Sequence, residues 1–80
     1  MLYVYLLESV GHPDQRYVGL TENLKRRLPE HNAGKSPHTA KYRLWKLVTY
    51  LAFSDEAKAR AFERYLKQGS GHAFANKRLW

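Results

Sequence analysis

The sequence predicts an α+β domain in which a three-stranded antiparallel sheet is flanked by helices, in the order β-β-α-α-β-α. Three observations carry this reading. Two short tyrosine-rich runs, Tyr3-Val4-Tyr5 and Arg16-Tyr17-Val18, are separated by the turn formers Gly11, Pro13 and Asp14, as two strands of a hairpin would be. A third run alternates cleanly, with Trp45, Leu47, Thr49, Leu51 and Phe53 against Lys46, Val48, Tyr50 and Ala52, which is the period of a strand. Between and after these runs lie two stretches with helix-start and helix-stop chemistry.

The first strand takes in Leu2 to Leu7, apolar enough to be covered on both faces. Glu8 to Gln15 is the turn, and Arg16 to Leu20 the second strand. With Tyr5 opposite Tyr17, both hydroxyls would project from one sheet face; a slip of one residue would separate them. The first helix spans Thr21 to Ala33, with Thr21 as N-cap and Gly34 as the C′ stop. Leu24 and Leu28 share one face, and Arg27 and His31, four apart, share a neighbouring stripe. Pro29 sits past the first turn, where it removes a backbone bond and crowds the Lys25 carbonyl, so a kink or an early end is expected. Lys35 to Tyr42 reads as a loop with a short helical turn, and Trp45 to Phe53 as the third strand. Ser54 then caps the last helix, whose core stripe is read as Ala57, Ala61, Phe62, Tyr65 and Leu66, with Glu63 just outside it. Gly69-Ser70-Gly71 ends that helix, and Phe74, Leu79 and Trp80 return to the sheet.

Eighty residues make one domain, residues 1–80, with a thin stability margin. The absence of cysteine leaves neither disulfides nor thiolate metal sites and fits a reducing cytoplasm. No stretch approaches the ~20 apolar residues of a membrane span. The balance of 14 Lys and Arg against 7 Asp and Glu, +7 overall, is the electrostatic footprint of a polyanion partner. The excess is local: Lys25, Arg26, Arg27, Lys35, Lys41, Arg43 and Lys46 face only Glu30 between residues 25 and 46, a net +6. Lys25, Arg26, Lys35, Lys41, Arg43 and Lys46 are therefore candidates for binding nucleic-acid phosphates, against the plainer reading of a solvated basic face.

Tyr3-Val4-Tyr5 and Tyr17-Val18-Gly19 resemble the two half-motifs of the GIY-YIG nuclease family. Leu24-x-x-Arg27-x-x-x-His31 resembles its helix signature, and Glu63 is spaced like its metal-binding glutamate. The resemblance covers essentially the whole chain and is closest to small stand-alone bacterial members. Three residues depart from the pattern: Tyr3 stands where the name implies glycine, Pro29 lies inside the helix, and Leu44 replaces a common proline. The resemblance implies a Mg²⁺- or Mn²⁺-dependent endonuclease with one ion at Glu63 and a catalytic set of Tyr5, Tyr17, Arg27, His31 and Glu63. It implies that one tyrosine activates water, a role assigned here to Tyr5.

The residues themselves are compatible with that chemistry without demanding it. Arg27 has a planar fork for two phosphate oxygens, though a pair with Asn23 or Glu30 is the ordinary use of such a residue. His31 can share a proton near neutral pH or simply stabilise a helix end. Glu63 alone, with phosphate and water, suffices to anchor Mg²⁺; without the resemblance, a surface pair with Lys67 is the better reading. The tyrosines could be ordinary strand aromatics, and Asn76 is a further candidate to assist the metal. The expected partner is nucleic acid, DNA in preference to RNA, recognised by shape or as a single strand because no base-reading motif is present. The rival is a non-catalytic nucleic-acid-binding module on the same fold, and a homodimer is left open.

Overall fold

The computed structural model describes all residues, 1–80. Strands β1 (Leu2–Ser9) and β2 (Arg16–Thr21) precede helix α1 (Leu24–Asn32). A 3₁₀ turn (Ala40–Tyr42) leads to β3 (Trp45–Phe53), and α2 (Glu56–Leu66) and α3 (Gly69–Arg78) complete the chain. The three strands form one antiparallel sheet in the order β2-β1-β3, the α+β architecture expected from sequence. The β-rich Leu2–Ser9 run takes the centre, and Val4, Tyr5, Leu6 and Leu7 are all buried there because both of its faces are covered.

The two faces divide the protein's work. Leu2, Val4 and Leu6 point to one side and form a core with Ala59 and Leu66 of α2 and Ala75 of α3. Tyr5, Leu7 and Trp45 point to the other, where Leu24 and Leu28 of α1 pack against them. The β1–β2 register differs from the expected one. Tyr5 is opposite Gly19 and Leu7 opposite Tyr17. The offset is two residues, an even number, so Tyr5 and Tyr17 still share a face. Along β3, Leu6 pairs with Thr49 but Leu7 with Leu47, a bulge that leaves Val48 as the extra residue.

Helix α1 starts later than its sequence suggests. Asn23, not Thr21, is the N-cap, its side chain accepting from the Arg26 amide at 3.1 Å. Thr21 instead receives the Asn23 amide at 3.1 Å, one step upstream. The helix runs through Pro29 without ending and restarting there, and Gly34 takes the left-handed conformation, φ +77°, of a C′ stop. The C-terminal end of α1 is tied to the sheet by Asn32, which spends both ends of its amide on the Trp45 backbone, at 2.6 and 3.1 Å. The Arg43–Leu44 peptide just before β3 is cis.

The C-terminal third departs further from expectation. Asp55, rather than Ser54, caps α2, accepting from the Lys58 amide at 3.1 Å. Gly69-Ser70-Gly71 does not end the helical region but opens α3. Gly71 is buried there, and a β-carbon on it would strike the Tyr65 carbonyl, so the α2–α3 corner closes only around a residue without a side chain. The inward stripe of α2 is Ala59, Phe62, Glu63 and Leu66, whereas Ala57 and Ala61 are exposed. Glu63 thus lies within the packed stripe and not beside it. Leu79 and Trp80 pack on the core as expected, while Phe74 packs on Phe62 and Tyr65. No helix is long and apolar enough to cross a membrane.

Candidate active site

Four of the five candidate catalytic side chains converge on the α1 side of the sheet. The hydroxyl of Tyr5, projecting from the central strand, lies 2.8 Å from His31 Nε2, and Arg27 Nε donates to the same hydroxyl at 3.4 Å. The four-residue spacing on α1 aims Arg27 and His31 at one point. Tyr17 closes the group from β2, its ring centre 5.1 Å from that of His31 and 6.1 Å from that of Tyr5. The two tyrosines meet over Gly19, which provides the space: a β-carbon there would stand 2.5 Å from the Tyr5 hydroxyl oxygen and 2.7 Å from Tyr17 Cε2.

A residue that no motif singles out completes the arrangement. Thr39 is fully buried, and its Oγ1 lies 2.6 Å from His31 Nδ1. The Thr39 carbonyl in turn accepts from Trp45 Nε1 at 2.8 Å, which fixes the loop over the imidazole. Burial, followed by the nearby Arg27 charge, pushes the His31 pKa down to about 4, with Glu30 opposing weakly. The ring is therefore neutral near pH 7. One nitrogen donates and the other accepts, so the Tyr5 and Thr39 hydroxyls run in a single direction through it.

This buried histidine has a measurable consequence. Its folded pKa lies below the ordinary 6.5, so the unfolded chain takes up a proton that the folded chain refuses between about pH 6.5 and 4. Its contribution to stability is expected to be intact above pH 6.5 and lost as the pH falls toward 4, on the order of 3 kcal/mol in total. Urea midpoints of the wild type and of His31→Gln should approach each other across that window; a constant gap between them would refute the assignment.

Burial also pushes the Tyr5 pKa up to about 12, a rise opposed by the hydrogen bond from Arg27 and reinforced by repulsion from Tyr17. At neutral pH this hydroxyl keeps its proton. Arg27 is raised further above its usual value, first by the Tyr5 hydroxyl, and remains cationic. It also pairs with Glu30 at 3.1 Å, one of the ordinary uses its sequence position allowed.

Glu63 stands apart. It lies on α2, which packs on the opposite face of the sheet, and makes no hydrogen bond or ion pair to the other four residues. Its partner is Lys67, one turn on, and its side chain is only 14% exposed. No three His, Cys, Asp or Glu side chains gather into a metal cage. The donor set therefore does not suit a closed zinc site. A lone, largely shielded carboxylate suits a hard divalent ion whose other ligands are water and substrate phosphate. Asn76 is engaged elsewhere, accepting from Arg16 at 3.1 Å.

The six candidate phosphate-binding residues are all exposed, and several are engaged by neighbouring groups. Lys25 faces a depression of about 730 Å³ near Tyr3 and Tyr50, which none of the five catalytic candidates lines. Arg26 pairs with Glu30 at 3.6 Å, Lys46 with Glu8 at 3.4 Å, and Lys41 lies over the Tyr42 ring. Arg43 turns back to donate to the Ala33 carbonyl at 3.3 Å. Lys35 makes no ion pair.

Comparison with known proteins gives a consistent picture. The family model described as the GIY-YIG catalytic domain matches residues 1–78. A UPF0213 protein of Streptococcus pyogenes serotype M3 is 39% identical over 67 residues, covering 82% of this chain and 71% of that protein. A second UPF0213 protein, from S. pyogenes serotype M5, is 37% identical over the same shares. The structure-specific endonuclease subunit SLX1 homolog of Giardia intestinalis is 35% identical over 65 residues, covering 76% of this chain and 18% of that protein.

Proposed function

The chain belongs to the GIY-YIG family, and on that premise we propose that it is a metal-dependent endonuclease that hydrolyses phosphodiester bonds in DNA, guided by strand structure rather than base sequence. The observation that carries the reading is the Tyr5–His31–Arg27 group closed over Gly19, with Tyr17 at its edge. A surface arginine has no need of a buried tyrosine–histidine–threonine chain behind it; an arginine that must hold one orientation against a phosphate does.

Each residue then has a task its surroundings support. Arg27 presents its guanidinium to the phosphoryl oxygens, held by Tyr5 on one side and Glu30 on the other. Tyr5, which keeps its proton, serves as a donor and a spacer rather than as the base assigned to it from sequence. The water-activating position passes to Tyr17, on the edge strand and only half-buried. Neutral His31 holds the Tyr5 hydroxyl in place. Bound at Glu63, a Mg²⁺-like ion would neutralise charge on the phosphoryl group and assist the leaving oxygen.

Structure-directed cutting has support in the Giardia relative, which is named as a structure-specific endonuclease subunit. A binding module on the same fold is the other reading. The observation in its favour is the engagement of Glu63 by Lys67. Incubation with labelled single-stranded, duplex, flap and branched DNA, and with RNA, in Mg²⁺ or EDTA separates the two. Cleavage of at least one DNA form in Mg²⁺ alone is expected; binding without cleavage of any form would favour the module.

A further inference from the structure

Much of the positive charge that sequence placed between residues 25 and 46 is engaged by neighbouring groups, and a second group of basic residues lines a depression elsewhere. Where the edge strand β2 meets the α2–α3 corner, a depression of about 300 Å³ is lined by Arg16, Tyr17, Val18, Leu66, Lys67, His72 and Trp80. Val18, Leu66 and Trp80 supply apolar walls. Arg16, Lys67 and His72 supply three basic groups from three different elements, and no acidic residue lines the depression. These residues are far apart in the chain, so no charge run announces them.

Arg16 and Lys67 each have neighbours a phosphate would compete with, and His72 has none. Arg16 lies with its guanidinium 4.8 Å from the centre of the Trp80 ring, donates to Asn76 and sits a loose 3.8 Å from Glu8. Lys67 is ion-paired with Glu63, but its own side chain is half-exposed and reaches the depression. His72 makes no side-chain hydrogen bond or ion pair and stands in the first turn of α3, whose start has no side-chain cap. The unpaired amides and dipole of that helix end add positive potential at the same corner. Tyr17 belongs both to this depression and to the catalytic group.

We propose that the depression seats a phosphodiester next to the one being cut, so that the bound strand crosses the β2 edge at Tyr17 and leaves over the α2–α3 corner. The proposal rests on the nuclease reading and deepens it, because a neighbouring phosphate held at this place fixes the direction in which the strand passes the reacting groups. The ligand chemistry is that of a backbone phosphate: one negative charge and two exposed oxygens facing an arginine, a lysine and an imidazole. An engaged phosphate would also draw Lys67 away from Glu63, freeing the carboxylate.

The test uses Glu63→Gln protein in EDTA, so that nothing is cut, and a set of fluorescent single strands. In each strand one phosphodiester is replaced by a neutral methylphosphonate. In the parent, two adjacent replacements should each weaken binding about tenfold, the scale of one charge-assisted contact. Adding Arg16→Gln or His72→Gln should weaken binding of the unmodified strand by a similar factor. It should also abolish sensitivity to one replacement and leave the other intact; circular dichroism confirms the fold. Unchanged affinity and an unchanged scan in both variants would overturn the subsite while leaving the nuclease reading in place. If no strand binds even the parent, the subsite falls, while cleavage of duplex, flap or branched DNA in Mg²⁺ decides the nuclease reading separately. Inorganic phosphate, titrated against the parent and His72→Gln, should displace the strand from the parent only weakly. Displacement as strong as that by an unlabelled strand would mark a free-anion site and overturn the proposal.

Discussion

Gly19→Ala is expected to yield a folded protein that has lost most of its ability to cut. The added methyl would lie 2.5 Å from the Tyr5 hydroxyl oxygen, 2.6 Å from Tyr5 Cζ and 2.7 Å from Tyr17 Cε2. Neither ring can yield cheaply. Tyr5 is 1% exposed and its hydroxyl is held by His31 and Arg27, while Tyr17 packs beside the same imidazole. Overpacking of this kind costs about 1–3 kcal/mol, so the domain should survive with a lower urea midpoint. Displacing the catalytic group by about 1 Å can cost ~100-fold in rate. Single-turnover cleavage beside a denaturation curve separates the two effects. A variant with near wild-type rate would mean that the tyrosine pair does not position the reaction.

Glu63→Gln should have the larger kinetic effect and the smaller structural one. The substitution keeps the shape of a side chain that is 14% exposed and removes the charge that would hold a divalent ion. Cleavage should fall by orders of magnitude, while nucleic-acid binding in EDTA changes little. If Glu63 merely serves Lys67, the substitution would change stability alone, with no kinetic effect. Arg27→Lys gives a contrasting pattern. It keeps the positive charge but loses the fork that reaches both Tyr5 and Glu30, so cleavage should suffer more than binding. Equal losses in both would place Arg27 among the general phosphate contacts.

The sheet was legible because its signals are local. The alternation from Trp45 to Phe53 gave β3 with the bounds the structure has, and the Arg27–His31 spacing correctly put both side chains on one stripe. What could not be read depends on contacts between distant segments. The register of β1 on β2 was misplaced by two residues because the Glu8–Gln15 loop does not dictate a turn length, and only parity kept the tyrosines together. Gly69-Ser70-Gly71 has poor helix propensity, yet it begins α3 because Gly71 fits against the Tyr65 carbonyl and Ala75 reaches the core. The small residues Ala57 and Ala61 drew the expected stripe of α2 one step aside, and so set Glu63 outside a packed face that includes it. Thr39 is one polar residue in a polar loop, and nothing local distinguishes it from Ser36 or His38. The Arg16–Lys67–His72 depression joins three elements and leaves no trace in any sequence window.

The most direct measurement is the single-turnover rate of the wild-type protein on its best DNA substrate as Mg²⁺ is raised from an EDTA-treated start. No cleavage at zero metal, followed by a simple saturating rise of first order in Mg²⁺, is the result expected of a lone carboxylate anchor. Cleavage that persists undiminished in EDTA, or none at any Mg²⁺ or Mn²⁺ concentration on any substrate, would contradict it.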